Sequence, residues 1–283
     1  MTKSNTKIRP FLFLVFLFSF FVAFPFPTYA EKPITAGKGI WINIWNYPAS
    51  PDMYCEYLKS KGIDTIYLQV ARSNTPAIKD PIKLNKIITS AHDRGIKVIG
   101  WSYLYLKKPI EDAQKFIKAA LYKTPSGDTL DGMAIDIEEV TNSSVIETFA
   151  KIVRQTLGNK YPLIAITFSP VQTKADPRHY AWKTIANNFD IIAPMTYWHG
   201  IVKLRSRQGA YDYTTETIAK IKEYTENKNV KIHLIGDGQK TSNEEIIGFL
   251  KAAEDHNINA GVSLYPWYTP KEHQIETLGK SDF

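Results

Sequence analysis

The sequence predicts an α/β protein built as a single (β/α)8 barrel, a TIM barrel. Three observations carry this expectation. Eight short runs rich in β-branched and aromatic residues recur along the chain. Amphipathic stretches with helical spacing lie between most of them. Setting aside the first thirty of 283 residues leaves 253, the usual size for one such barrel. A doubly wound open sheet shares the alternation, but no glycine-rich phosphate loop follows the first run.

The elements follow in order. GIWINIW (39–45) precedes a helical stretch at 51–62, and DTIYLQVA (64–71) precedes one at 81–95. IKVIGWSY (96–103) precedes a helix at 109–123, and DGMAIDIE (131–138) precedes one at 143–158. PLIAITFS (162–169) and DIIAPMTY (190–197) follow, then a helix at 214–228. VKIHLIG (230–236), a helix at 242–257 and INAGVSLY (258–265) complete the set. Several helices open with Pro, a capping residue or acids. Within the runs, Ile40, Ile42 and Ile44 alternate with Trp41, Asn43 and Trp45, and Ile66, Leu68 and Val70 with Thr65, Tyr67 and Gln69. The aliphatic face belongs against the helices, so the other face points into the barrel. That interior is expected to be polar and aromatic, with Asn43, Gln69, Asp136, Glu138, Tyr197 and Tyr265.

Residues 1–30 read as a leader. Lys3, Lys7 and Arg9 precede an uncharged run of fourteen residues at 11–24, and Ala30 offers a cleavage point before Glu31. The alternative is an uncleaved membrane tether through residues 8–27. Either way residues 31–283 are expected to work as a secreted or cell-envelope domain, outside the cytoplasm. The formal charge of +7 falls to +4 without the leader's three cations. No basic run with interleaved aromatics points to nucleic acid. Cys55 is the one cysteine, so no intrachain disulfide forms.

The chemistry gathers at strand ends. Asp136 and Glu138 share one face at the carboxyl end of the fourth run, where barrel active sites lie. Buried carboxylates are costly unless paired or used. Glu139 has the opposite parity and reads as a loop or solvent-facing residue. Around the same rim stand Trp41, Trp45, Tyr67, Gln69, Trp101, Met195, Tyr197, Trp198, Tyr265 and Trp267. Aromatic rings together at strand ends suit the flat apolar faces of sugars. Asp237 is the candidate for a second carboxylate across the cleft, although Gly236 and Gly238 beside it also read as a tight turn. The six histidines show no metal-ligand spacing, no GxSxG elbow exists, and Cys55 sits in a helix without an activating partner. No metal or cofactor is expected.

DGMAIDIE resembles the strand-four signature of glycoside hydrolase family 18, the chitinase-like family, in Asp131, Gly132, Asp136 and Glu138. Ala134 stands at the family's middle aspartate. MTY (195–197) resembles its Met-x-Tyr, with Trp198 next, and GVSLY (261–265) its last strand, with Tyr265 in place of tryptophan. The segment from 95 to 119, with MAIDIEE after it, is also similar to family 25 lysozymes, although Trp41 stands where those carry an aspartate. Both resemblances imply a glycan containing N-acetylglucosamine, chitin-like or peptidoglycan, and Glu138 as general acid. The family 18 resemblance further implies attack by the substrate's own acetamido group, with Asp136 and Tyr197 holding it. It also leaves open a degenerate barrel that binds glycan without cutting it.

Overall fold

The computed structural model describes residues 32–176, 178–199, 205–238, 240–266 and 270–283. The expected leader and the rim residues Trp267 and Tyr268 lie outside them. The described chain alternates strand and helix: β1 (Lys38–Ile42), α1 (Pro51–Ser60), β2 (Thr65–Arg72), α2 (Pro81–His92), β3 (Lys97–Tyr103), α3 (Pro109–Ala120), β4 (Gly132–Asp136), α4 (Ser143–Leu157) and β5 (Leu163–Phe168). A 3-10 turn (Thr173–Ala175), α5 (Trp182–Asn188), β6 (Ile191–Thr196), α6 (Arg207–Tyr224), β7 (Leu234–Asp237), α7 (Asn243–Asp255), β8 (Val262–Tyr265) and α8 (Glu272–Gly279) follow. All eight strands are parallel, and β8 pairs with β1 to close the barrel.

Local chemistry sets these elements. Proline opens α1, α2 and α3, where its missing N–H costs nothing. Ser242 and Glu245 form a reciprocal capping box on α7. The strand alternation sorts side chains as expected. Ile40, Ile42, Ile66, Leu68, Met133 and Ile135 pack outward against the helices. Trp41, Tyr67, Trp101, Ala134, Met195 and Ile235 form a separate inner cluster.

The expected interior needs one correction. Its fully enclosed rings, Trp41, Tyr67 and Trp101, lie on β1–β3, whereas β5–β7 contribute Ile164, Ile166, Ile191 and Ile235, with Phe168, Tyr197 and Tyr265 packed against them at the rim. Two helices also escape the sequence pattern. α5 is seven residues long and buries only Trp182 and Ile185, too little for a period to emerge. α8 buries Gln274, Ile275 and Leu278, one of them polar. α6 begins at Arg207 rather than 214, because its buried stripe runs through Gly209, Ala210, Tyr213, Thr214 and Thr217. Small and hydroxyl residues disguise that face. β7 is shorter than the run 230–236, and residue 232 makes only an isolated bridge to Ile192.

Three aspartates staple the amino-terminal end of the barrel. Asp64, just before β2, accepts from the backbone N–H of Lys38 at 2.9 Å. Asp131, just before β4, accepts from Val98 at 2.7 Å, and Asp190, just before β6, accepts from Leu163 at 2.8 Å. Each ties an odd strand to the even strand after it. Asp131 also bonds His92 of α2 at 3.0 Å. The first acid of the family-like signature therefore lies at the end of β4 opposite Asp136 and belongs to the framework. Replacing Asp131 with alanine leaves the Val98 N–H without its carboxylate. The variant is expected to lose about 1–3 kcal/mol in urea unfolding, and a loss within error of zero would refute the staple.

Candidate active site at the carboxyl end of the barrel

The site is assembled by strand register. Arg72 pairs with Tyr103, Tyr103 with Asp136, and Asp136 with Ile166. These four residues form one row across β2–β5 at the carboxyl rim. Arg72 owes its place to an irregularity. The β2–β3 register slips between Gln69 and Ala71, leaving Val70 and Ala71 both in the outer cluster. Strict alternation after Thr65, Tyr67 and Gln69 would have turned Ala71 inward. The bulge hands that direction to Arg72.

A cavity of about 330 Å³ opens at this rim. Its wall includes Arg72, Tyr103, Asp136, Glu138, Trp101, Met195, Tyr197 and Tyr265. Asp136 is the last residue of β4 and is only 6% exposed. Glu138 follows in a bend and is half-buried. Burial, and then the Glu138 charge, hold the Asp136 carboxyl well above the usual carboxylate range, despite Arg72 nearby. Glu138 is raised as well, first by burial and then by Glu139, while Lys174, Arg72 and the bond from Asp136 pull it down. Both carboxyls are therefore harder to ionise than free ones, with burial the first cause in each. The Oδ1 of Asp136 is buried without a hydrogen-bond partner among the described residues.

Glu139 is exposed, as its parity implied, yet it takes part in the site. It accepts from the Tyr103 hydroxyl at 2.7 Å, and its charge acts on Glu138. Tyr197 and Tyr265 stack with ring centroids 6.1 Å apart. Burial pushes the Tyr265 hydroxyl up to about 12, with Asp136 adding to the shift. Tyr197 is raised by burial and by Tyr265, Asp136 and Asp237, so its hydroxyl is a donor at neutral pH.

Beneath the acids lies an aromatic floor. Trp41 stacks on Tyr67 at 4.2 Å and meets Trp101 edge-on at 5.8 Å. Its indole N–H donates to Ser263 Oγ at 2.7 Å, and Ser263 in turn reaches His233 Nε2 at 2.8 Å. His233 Nδ1 bonds the Ala260 carbonyl at 2.8 Å, which places its proton on Nδ1. Burial brings the imidazole down to about 4, so it stays neutral. Gly39 makes room for this stack, since a Cβ there would stand 2.4 Å from the Tyr67 ring.

Several expected rim residues are placed elsewhere. Tyr67 is fully buried under Trp41, and Gln69 is sealed behind the wall with its Oε1 bonded to the Ile44 N–H at 3.1 Å. Both face inward, but neither reaches the cavity. Trp198 follows the inward Tyr197 and so turns outward. It stacks on Phe249 at 5.2 Å and donates to Glu245 at 3.3 Å, locking β6 to α7. Trp45 is 63% exposed beside the cavity, with Arg72 and Lys79 against its ring. Asp237 is not a turn residue: it ends β7, buried, in register with Tyr265, and is not part of the cavity wall. Arg72, Gln172 and Phe168 line the cavity without a sequence signal. Arg72 depends on the bulge, and the other two lie at or beyond the end of β5.

The barrel is a fold shared with solved structures of glycoside hydrolases. No family model matches the sequence, and no curated protein matches it. Among solved structures, the chain is similar to the Bacillus cereus spore cortex-lytic enzyme SleL, with 12% identity over 88% of this chain and 74% of that one, TM-score 0.64. It is similar to SleL of Bacillus megaterium at 9% identity, over 91% and 76%, TM-score 0.60. A family 18 chitinase from Pseudoalteromonas aurantia matches at 12% identity over 86% and 98%, TM-score 0.58.

The raised pKa of Asp136 has a measurable consequence. Its native carboxyl binds a proton more tightly than in the unfolded chain, where 3.8 is the ordinary value. Below that value both states hold the proton, and no stability is lost. Above it, native stability falls until the raised native pKa is passed. Asp136→Asn keeps a neutral group of the same shape. Its melting temperature relative to wild type is therefore expected to climb as pH rises from about 4, and to level off once the raised native pKa is passed. A pH-independent difference in calorimetry would contradict the assignment.

Proposed function

We propose that the protein is an exported glycoside hydrolase acting on a glycan that contains N-acetylglucosamine. Residues 1–30 serve as its leader or tether and residues 31–283 as the catalytic barrel. The observation that carries this reading is the Asp136–Glu138 pair, both lining one cavity at the carboxyl end of β4 above an aromatic floor. Similar structures named as cortex-lytic enzymes and a chitinase support the same class of substrate.

Glu138, half-buried at the mouth, delivers a proton to the glycosidic oxygen as the bond to the anomeric carbon breaks. Asp136 is its proton reservoir. The family 18 resemblance supplies the nucleophile, the substrate's acetamido oxygen, so no second carboxylate is needed. Asp136 Oδ1, without a hydrogen-bond partner among the described residues, is the acceptor for the acetamido N–H, and the Tyr197 hydroxyl donates to the acetamido oxygen. Asp237, outside the cavity wall, has no part in this scheme. The acetamido oxygen thus bonds the anomeric carbon as the leaving sugar departs. Water then attacks that carbon, the bond to the acetamido oxygen breaks and restores the acetamide, and the Glu138 carboxylate takes the water's proton.

One observation favours a second reading, glycan binding without hydrolysis. Ala134, inward and fully buried, places a methyl group where the family's supporting acid stands. Glu138→Gln decides between them. With chitin oligomers and peptidoglycan as substrates, the variant is expected to release reducing ends about 10²–10⁴-fold more slowly than wild type while still binding. Wild-type protein that binds both polymers and cuts neither would establish the binding reading.

A further inference from the structure

The bulge in β2 delivers a cation to the cavity, and the hydrolytic scheme does not use it. Arg72 is firmly held. Its backbone N–H donates to Thr75 Oγ1 at 2.8 Å, and its carbonyl accepts from Lys115 at 3.2 Å. Its guanidinium carbon lies 4.6 Å from the Tyr103 ring centroid and 5.1 Å from that of Trp45. Tyr103 is itself fixed by its bond to Glu139 and by Tyr105, which meets it edge-on at 5.4 Å. Donation to a carboxylate enriches the Tyr103 ring and strengthens its hold on a cation.

Arg72 makes no ion pair among the described residues, whereas Arg94, Arg154 and Arg178 each have a carboxylate within 4.0 Å. Asp136 and Glu138 feel its charge without pairing with it. Glu139 is engaged by Tyr103. Two further cations stand at the rim, Lys79 over the Trp45 ring at 5.0 Å and Lys174 over Phe168 at 5.2 Å. A purely neutral sugar has no use for this arrangement. The Trp45 and Tyr103 faces are already taken by the guanidinium, and among the described residues its N–H edge has no carboxylate partner. That edge is a planar fork matched to a carboxylate.

The geometry points to Arg72 as a specificity residue that binds a carboxylate on the substrate, on a sugar beside the scissile bond. The substrate class is then an acidic glycan of N-acetylhexosamines rather than a neutral chitin. This inference rests on the glycosidase reading for its kinetics, but its binding arm does not. The carboxylate belongs either to a lactyl ether, as on N-acetylmuramic acid, or to a uronic acid.

The test compares four oligosaccharides on the full protein: alternating N-acetylglucosamine and N-acetylmuramic acid, the methyl ester of that oligomer, alternating N-acetylglucosamine and glucuronate, and chitotetraose. Wild type is expected to favour at least one acidic oligomer over the neutral ones by about tenfold or more in kcat/KM. Which acid is favoured identifies the source of the carboxylate. Arg72→Gln alters the charge around the catalytic pair and so changes rates on every substrate. The decisive quantity is therefore the ratio of acid to ester, which should fall toward one. Arg72→Lys, with charge but no fork, should keep an intermediate ratio. Equal use of acid and ester by wild type, or a ratio unmoved in Arg72→Gln, overturns the inference and leaves the glycosidase reading standing. If no oligomer is cut, calorimetric binding of acid and ester decides the role of Arg72, while the glycosidase reading falls.

Discussion

Closing eight parallel strands on one another leaves a narrow interior, and strict alternation decides which side chains enter it. Everything distinctive about this protein follows from that constraint. Inward positions at mid-height are filled by Trp41, Tyr67, Ile99 and Ala134, which exclude water and need no partner beyond a few hydrogen bonds. Charge is admitted only at the carboxyl rim, where Asp136 ends its strand. The opposite end holds the aspartate staples, which join strands in pairs and keep their acids out of the interior. Framework and chemistry thus occupy opposite ends of the same strands, and Asp131 and Asp136 show the division within one strand.

Placing Asp136 at the last buried level has an electrostatic consequence. A carboxylate there cannot be well solvated, so the acid is held well above the ordinary carboxylate range, whereas Glu138 is closer to water. Arg72 is near enough to moderate both acids but does not neutralise them. Glu139, although exposed, raises Glu138 and anchors Tyr103. The three acids of the DIEE segment thereby differ in setting: Asp136 is buried at the strand end, Glu138 is half-buried at the mouth, and Glu139 braces the ring that carries Arg72.

The floor shows how a functional surface is made rigid. Trp41 is pinned on one face by Tyr67 and at its N–H by Ser263, and Ser263 is pinned by a histidine that burial keeps neutral. A platform of this kind pays little conformational entropy when a ligand settles on it. His233 serves the floor rather than the cavity wall. Its two nitrogens complete a chain that ends in a backbone carbonyl.

The alternation of short β-rich runs with helical stretches determined the barrel and the inward face of β1, β2, β4 and β6, because both periods are local properties of the chain. The same local rule brought Asp136, Glu138, Met195, Tyr197, Trp101 and Tyr265 to one rim, since residues at strand ends share a level once the strands are parallel. Applied to Trp198, parity already pointed outward; it was the aromatic composition that suggested a ligand contact there. Tyr67 and Gln69 had the right direction, but their depth depended on how neighbouring strands stagger. Arg72 turned on a bulge against β3, Asp237 on where β7 ends, and the ease of ionising each acid on how much of it its neighbours cover. Register, stagger and burial arise between segments distant in sequence, so they were decided only when the barrel closed.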